Sequence, residues 1–169
     1  MKLILLGYMG SGKSTVSKMI ASKMEIEAID LDDYIVEKEN NSIQNIFKNK
    51  GEIYFRLKEN EYLKELLNSD KSFVLALGGG TPCYANNMDL IVKNAKSVYL
   101  KGNINTLFDR LHKEKESRPL ISTLNDDKLI EFIAKHLFER APFYEQANHI
   151  VVIDDKTVDK IVVEINQIL

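Results

Sequence analysis

Gly7-Tyr8-Met9-Gly10-Ser11-Gly12-Lys13-Ser14 fits the phosphate-binding pattern G-x-x-x-x-G-K-[ST]. Backbone N–H groups in such a loop converge on a polyphosphate, and the following helix adds partial positive charge at its N-terminus. Lys13 supplies a full charge to the β- and γ-phosphates, and the Ser14 hydroxyl can ligate Mg²⁺. Asp30 and Asp32 are two positions apart. On a locally extended segment they point the same way, so that one can serve a metal and the other can take a proton from an attacking hydroxyl. The plainer alternative is that Asp32 or Asp33 only caps the next helix. Gly78-Gly79-Gly80 stands where many phosphate-loop enzymes carry a metal-binding Asp. That moves the metal carboxylate to Asp30 and turns the glycines toward a second substrate, with a plain turn as the alternative.

Three arginines complete the set. Arg56 and Glu59 share a helix face, either as a surface ion pair of small value or as part of a site. Arg118 follows the charged run Lys113 to Ser117 and precedes Pro119, as a lid arginine closing onto transferring phosphate would. Arg140 precedes Ala141-Pro142, where it can serve a helix dipole. With Arg56 it can instead grip a carboxylate through bidentate bonds, although spacing alone does not bring the two together.

These residues need a frame. Lys2 to Leu6, Ile26 to Ile29, Phe73 to Leu77, Ser97 to Leu100 and Ile150 to Ile153 read as five strands. Helical periods separate them: Val16 to Met24, Tyr34 to Glu39, a segment capped by Ser42, a longer one from Gly51 to about Leu67, and three more over Ile104 to Leu111, Leu129 to Leu137 and Val158 to Leu169. Asn40-Asn41 breaks the second helix, and Pro142 follows the sixth. Alternation of this kind predicts a parallel sheet with helices on both faces, and ligands beyond the carboxyl ends of the strands.

The 169 residues suit one domain. A net charge of −2 gives no reason to expect nucleic acid or an anionic membrane, and no apolar run reaches membrane-spanning length. The chain opens directly on a strand, which leaves no room for a cleaved leader; the expected location is the cytoplasm. Cys83, the one cysteine, excludes an internal disulfide. His112, His136 and His149 lack metal-ligand spacing and read as structural or solvated.

Taken in order, G-Y-M-G-S-G-K-S-T (7–15), D-L-D (30–32), S-I-Q-N-I-F (42–47), G-E-x-x-F-R-x-x-E (51–59), L-G-G-G (77–80), R-P-L (118–120) and R-A-P-x-Y (140–144) resemble the shikimate kinase family over nearly the whole chain. The resemblance implies an α/β fold: a nucleoside-monophosphate-kinase-like P-loop fold of three layers, with a five-stranded parallel sheet, a mobile lid near 112–125 and a shikimate-binding helical region near 32–60. It implies transfer of the ATP γ-phosphoryl group to the 3-hydroxyl of shikimate, with Mg²⁺, on the route to chorismate and the aromatic amino acids. The active unit it implies is a monomer.

Residue by residue, the resemblance implies ATP contacts from Gly10, Ser11, Gly12, Lys13, Ser14, Thr15, Arg110 and Arg118, with Arg110 lining the adenine pocket. Asp30 and Ser14 serve the metal. Asp32 is the base, with Lys13 and Arg118 catalytic beside it. Asp32, Arg56, Gly78, Gly79, Gly80 and Arg140 hold shikimate, the two arginines on its carboxylate. The chain departs from the family at Leu31, often Thr, at Asn41, where a glycine often stands, at Thr81-Pro82, and near 154–157, where the family's late adenine-contacting segment has no match.

Two rival readings remain. A related metabolite kinase, such as a gluconate kinase, should lack the carboxylate clamp. A P-loop regulatory protein should lack the base or the lid arginine, and Asp32 and Arg118 are both present.

Overall fold

Leu3 to Leu6 are all fully buried, alternate residues facing opposite sides of one sheet. A strand apolar on both faces must be covered on both, and burying each such side chain contributes about 1.5–3 kcal/mol. The computed structural model describes residues 1–118 and 120–169, Ser117 in its backbone alone. Pro119, the middle of the R-P-L motif, lies outside the described residues.

Five parallel strands, β1 (Lys2–Leu6), β2 (Glu27–Asp30), β3 (Phe73–Ala76), β4 (Lys96–Lys101) and β5 (His149–Val152), stand in the order β2-β3-β1-β4-β5. On one face, Leu3, Leu5, Val74 and Val98 pack against α1 (Lys13–Met24) and α7 (Val158–Ile168). On the other, Ile4, Leu6, Leu75 and Tyr99 pack against α2 (Leu31–Glu39), α3 (Ile43–Asn68), α4 (Asn87–Asn94), α5 (Ile104–Lys113) and α6 (Asp126–Tyr144). The expected three-layer α/β fold is therefore the observed one. The crossover from β1 runs past β3 to β2, while that from β3 runs past β1 to β4. Adjacent strands whose connections part in this way open a crevice at their carboxyl ends.

Local chemistry moved some boundaries. The second helix begins at Leu31, not Tyr34, because Asp30 is extended and its Oδ1 accepts from the Asp32 N–H at 3.1 Å. Asp30 is thus the N-cap, in place of Asp32 or Asp33. Asp32 is already helical, so the expected strand-like alternation of the two carboxylates does not apply. The left-handed residue after this helix is Asn40 (φ 46), not Asn41. Ser42 caps α3 through the Asn45 N–H, as expected. Gly51 (φ 84, ψ 171) is not helical, so α3 is two helices meeting at a kink there, as the sequence suggests.

Pro142 lies inside α6, which runs on to Tyr144. Proline removes only the bond to the Phe138 carbonyl, and Phe138 is exposed to water; the Glu145 N–H resumes the pattern at Ala141. Arg140 is therefore a turn further inside its helix than the sequence suggested. Helices α2 and α3 are tied together by Glu39, which accepts from Tyr62 and Tyr54, each at 2.7 Å. Those hydroxyls pull its carboxyl down to about 2.

Candidate active site

A cleft of about 440 Å³ opens at the carboxyl ends of β1, β2 and β3. Its first wall is the loop after β1. Gly10 (φ 80) and Gly12 (φ 91) take left-handed backbone that other residues adopt only at a cost, and Gly12 delivers the chain into α1. Lys13 Nζ donates to the carbonyls of Gly7 and Tyr8, both at 2.9 Å. Burial lowers its ammonium to about 8, against the attraction of Asp30 and Asp32. Ser14 Oγ donates to Asp30 Oδ2 at 2.7 Å, which sets two hard oxygen donors side by side where the P-loop meets β2.

A second wall, next to the first, is built around the three glycines; a Cβ on Gly79 would lie 3.7 Å from the Gly7 carbonyl oxygen. A Cβ on Gly78 would lie 3.0 Å from Asp32 Oδ1, one on Gly79 3.3 Å from Arg140 Nη1, and one on Gly80 2.7 Å from Arg56 Nη2. Each glycine seats a different charged side chain. None of the three has positive φ. The triplet is required for close approach rather than for a left-handed turn.

Arg56 Nη1 donates to Glu59 Oε2 at 2.9 Å, and Glu59 is only 1% exposed. The pair is a buried ion pair, which corrects the surface-pair alternative. Removing one partner of such a pair costs about 3–5 kcal/mol. Arg56 also lies 5.3 Å from the centre of the Phe55 ring, and Arg140 lies 5.8 Å from that of Tyr8. Burial raises the Asp32 carboxyl to about 6; Asp30 and Glu59 add repulsion, while Lys13 and Arg56 oppose it.

The sequence model of the family described as "Shikimate kinase" matches residues 9–169. The chain belongs to the shikimate kinase family. A shikimate kinase of Flavobacterium psychrophilum is 46% identical over 169 residues, covering 99% of this chain and 98% of that protein. The crystal structure of shikimate kinase from Bacteroides thetaiotaomicron superposes with a TM-score of 0.91 at 35% identity, covering 99% and 97% of the two chains. That of the Acinetobacter baumannii shikimate kinase in complex with shikimate does so with 0.85 at 30% identity, covering 99% and 91%.

Of the residues that the family resemblance singled out, the cleft gathers Gly10, Gly12, Lys13, Ser14, Thr15, Asp30, Asp32, Arg56, Gly78, Gly79, Gly80, Arg118 and Arg140. Ser11 is fully buried and Arg110 lies outside the cleft lining, its Nη1 donating to the carbonyls of Gly10 (3.4 Å) and Ser11 (3.3 Å). Arg118 borders the cleft and bonds Glu114 through Nε and Nη2.

Sequence reasoning missed the apolar side of the pocket, formed by Ile43, Phe47, Phe55 and Leu120. All four lie within the quoted motifs S-I-Q-N-I-F, G-E-x-x-F-R-x-x-E and R-P-L, a signal that the site assignment did not use. It also missed Tyr144, whose hydroxyl donates to the Gly79 carbonyl at 2.5 Å and pins the glycine loop to α6. Of the histidines, His136 Nδ1 pairs with the Tyr8 hydroxyl at 3.2 Å, and His112 lies 3.3 Å from Asp126.

Proposed function

We propose that the protein transfers the γ-phosphoryl group of ATP to the 3-hydroxyl of shikimate, giving shikimate 3-phosphate and ADP on the route to chorismate and the aromatic amino acids. The observation that carries this reading is the glycine triplet. It seats Asp32, Arg140 and Arg56 on consecutive residues, in the cleft that Lys13 also lines. A hydroxy acid with its carboxylate on the two guanidinium groups would present a hydroxyl to Asp32 at the end of the phosphate loop.

In that arrangement Asp32 accepts the hydroxyl proton as the acceptor oxygen bonds to the γ-phosphorus. The bond from that phosphorus to the β,γ-bridging oxygen breaks, and the electron pair leaves with ADP. Lys13 and the loop N–H groups hold the growing charge. Arg118 adds a second cation when the segment near 112–125 closes as a lid, and the region near 32–60 holds the acceptor. Arg110 braces the nucleotide side of the loop through the Gly10 and Ser11 carbonyls, and Ser11 and Thr15 belong to the same phosphate-binding stretch.

Mg²⁺ fits Ser14 and Asp30, because it takes few protein oxygens and keeps water and phosphate as its other ligands. Among the described residues no group of three or more His, Cys, Asp or Glu is arranged to hold a metal. When bound, the ion would neutralise phosphate charge. We read the working unit as a monomer, the state that the family resemblance implies. No described helix is long and apolar enough to cross a membrane. The small charged substrates suit a cytoplasmic enzyme.

The test is ADP formation from ATP with shikimate, gluconate or a nucleoside monophosphate as acceptor. Turnover should depend on shikimate; turnover with gluconate and none with shikimate would replace this reading by the rival metabolite kinase.

A further inference from the structure

Thr81 and Pro82 follow the glycines where the family pattern offers no guide, and Thr81 is fully buried. Its hydroxyl donates to Glu59 Oε1 at 2.6 Å, while the other oxygen of Glu59 takes Arg56. Its carbonyl accepts from Asn87 Nδ2 at 2.8 Å, and Asn87 Oδ1 accepts from Asn60 Nδ2 at 2.6 Å. Glu59 and Asn60 are neighbours on α3. The bonds therefore close a ring: Glu59, Thr81, Asn87, Asn60 and back to Glu59. That ring ties the glycine loop to the helix carrying Arg56.

Thr81 Oγ1 also lies beside Asp32. The Cβ position of Gly78 is 3.2 Å from it, 3.0 Å from Asp32 Oδ1 and 3.5 Å from Glu59 Oε1. A hydroxyl has one proton to give, and here it goes to Glu59. We propose that Thr81 is a positioning residue for the acceptor: its hydroxyl fixes the Glu59 carboxylate so that Glu59 holds Arg56 in the orientation that grips the acceptor's carboxylate. This inference rests on the carboxylate-clamp reading of Arg56 above.

Among the described residues no buried side-chain nitrogen or oxygen lacks a hydrogen-bond partner. Thr81→Val keeps the shape and removes the hydroxyl proton that Glu59 Oε1 accepts. A buried carboxylate oxygen without a donor turns toward another one, and Arg56 is the mobile donor nearest to it. The loss should fall on acceptor binding, because the phosphate loop makes none of these bonds.

The experiment compares unmodified protein, Thr81→Val, Thr81→Ala and Thr81→Ser in steady-state kinetics with shikimate and ATP, with thermal melting as the check on folding. For Thr81→Val the expected result is a shikimate KM raised roughly tenfold with ATP KM and kcat within about threefold, a tenfold change being what one lost buried hydrogen bond commands. Thr81→Ser should restore the unmodified KM, because it restores the hydroxyl. If Thr81→Val does not fold, the same split is read between Thr81→Ala and Thr81→Ser. A folded Thr81→Val with unmodified shikimate KM, a Thr81→Ser as impaired as Thr81→Val, or an equal rise in both KM values would overturn the proposal. Absence of shikimate-dependent turnover in the unmodified protein would instead sink the functional reading itself.

Discussion

Nine consecutive residues, Gly7 to Thr15, shape the proposed donor half of the cleft, and they do so mainly with main-chain atoms. Two left-handed glycines and a helix N-terminus set its form, and Lys13 lies across its carbonyls. The proposed acceptor half adjoins it and is assembled differently. Asp32 comes from α2, Arg56 and Glu59 from α3, the glycines from the end of β3, and Arg140 from α6. Here side chains do the shaping, and the backbone supplies seats without Cβ atoms. The contrast suggests that the donor half tolerates change poorly at its glycine conformations, whereas the acceptor half is sensitive to any atom that displaces a charge.

The sharpest way to break this contrast is at Asp32, which stands between the halves. Asp32→Asn should lower kcat by about 10²–10⁴-fold while ATP binding survives, if Asp32 is the general base. In the unmodified enzyme, kcat/KM for shikimate should fall about tenfold per pH unit below about 6, because the carboxyl must be ionised to take the proton. The same substitution should stabilise the fold. Asp32's folded value, about 6, exceeds its ordinary 3.8, so the native state holds this proton more tightly. That contribution is present below the unfolded value and is lost as pH rises through about 6. At pH 7 the ionised group is a cost of about 1 kcal/mol after allowance for its partial exposure, so Asp32→Asn should raise Tm by about 2–4 °C. A variant that loses activity and stability together would place Asp32 in the scaffold instead.

A smaller effect separates the halves from each other. Gly80 has helical-region backbone (φ −89), so alanine is allowed there, yet its Cβ would press on Arg56 at 2.7–3.0 Å. Gly80→Ala should raise shikimate KM roughly 10- to 100-fold with ATP KM little changed, the cost of loosening one charged hydrogen-bonded partner. Equal losses for both substrates would mean that the halves are not independent.

How much could be read from the chain follows the same division. The phosphate loop was legible because its parts are contiguous and its strand and helix flank it directly. Asp30, Asp32, Arg56, Arg118 and Arg140 were visible as single residues and through the family resemblance. Their convergence was not, since 84 residues separate Arg56 from Arg140 and only the order of the strands brings them together. Boundaries slipped where a side chain replaced a backbone rule, as when Asp30 capped its own helix or the Phe138 carbonyl gave up its partner to Pro142. Whether Glu59 was a surface charge or part of a site stayed open, because helical spacing tells which face a residue is on, not what covers that face. Thr81 falls outside the family pattern, and Tyr144 closes the R-A-P-x-Y motif without a role that the motif reveals: each matters through hydrogen bonding to residues distant in sequence.

The central claim is that the acceptor half recognises a carboxylate while the donor half delivers phosphate to a hydroxyl beside it. The direct measurement is the KM for shikimate and for its methyl ester in the unmodified enzyme and in Arg56→Ala. The account predicts that the ester, which has lost the charge, binds the unmodified enzyme at least tenfold more weakly, the scale of a charged hydrogen bond, and that Arg56→Ala largely erases the difference while leaving ATP KM unchanged. Equal KM values for acid and ester in the unmodified enzyme would contradict it.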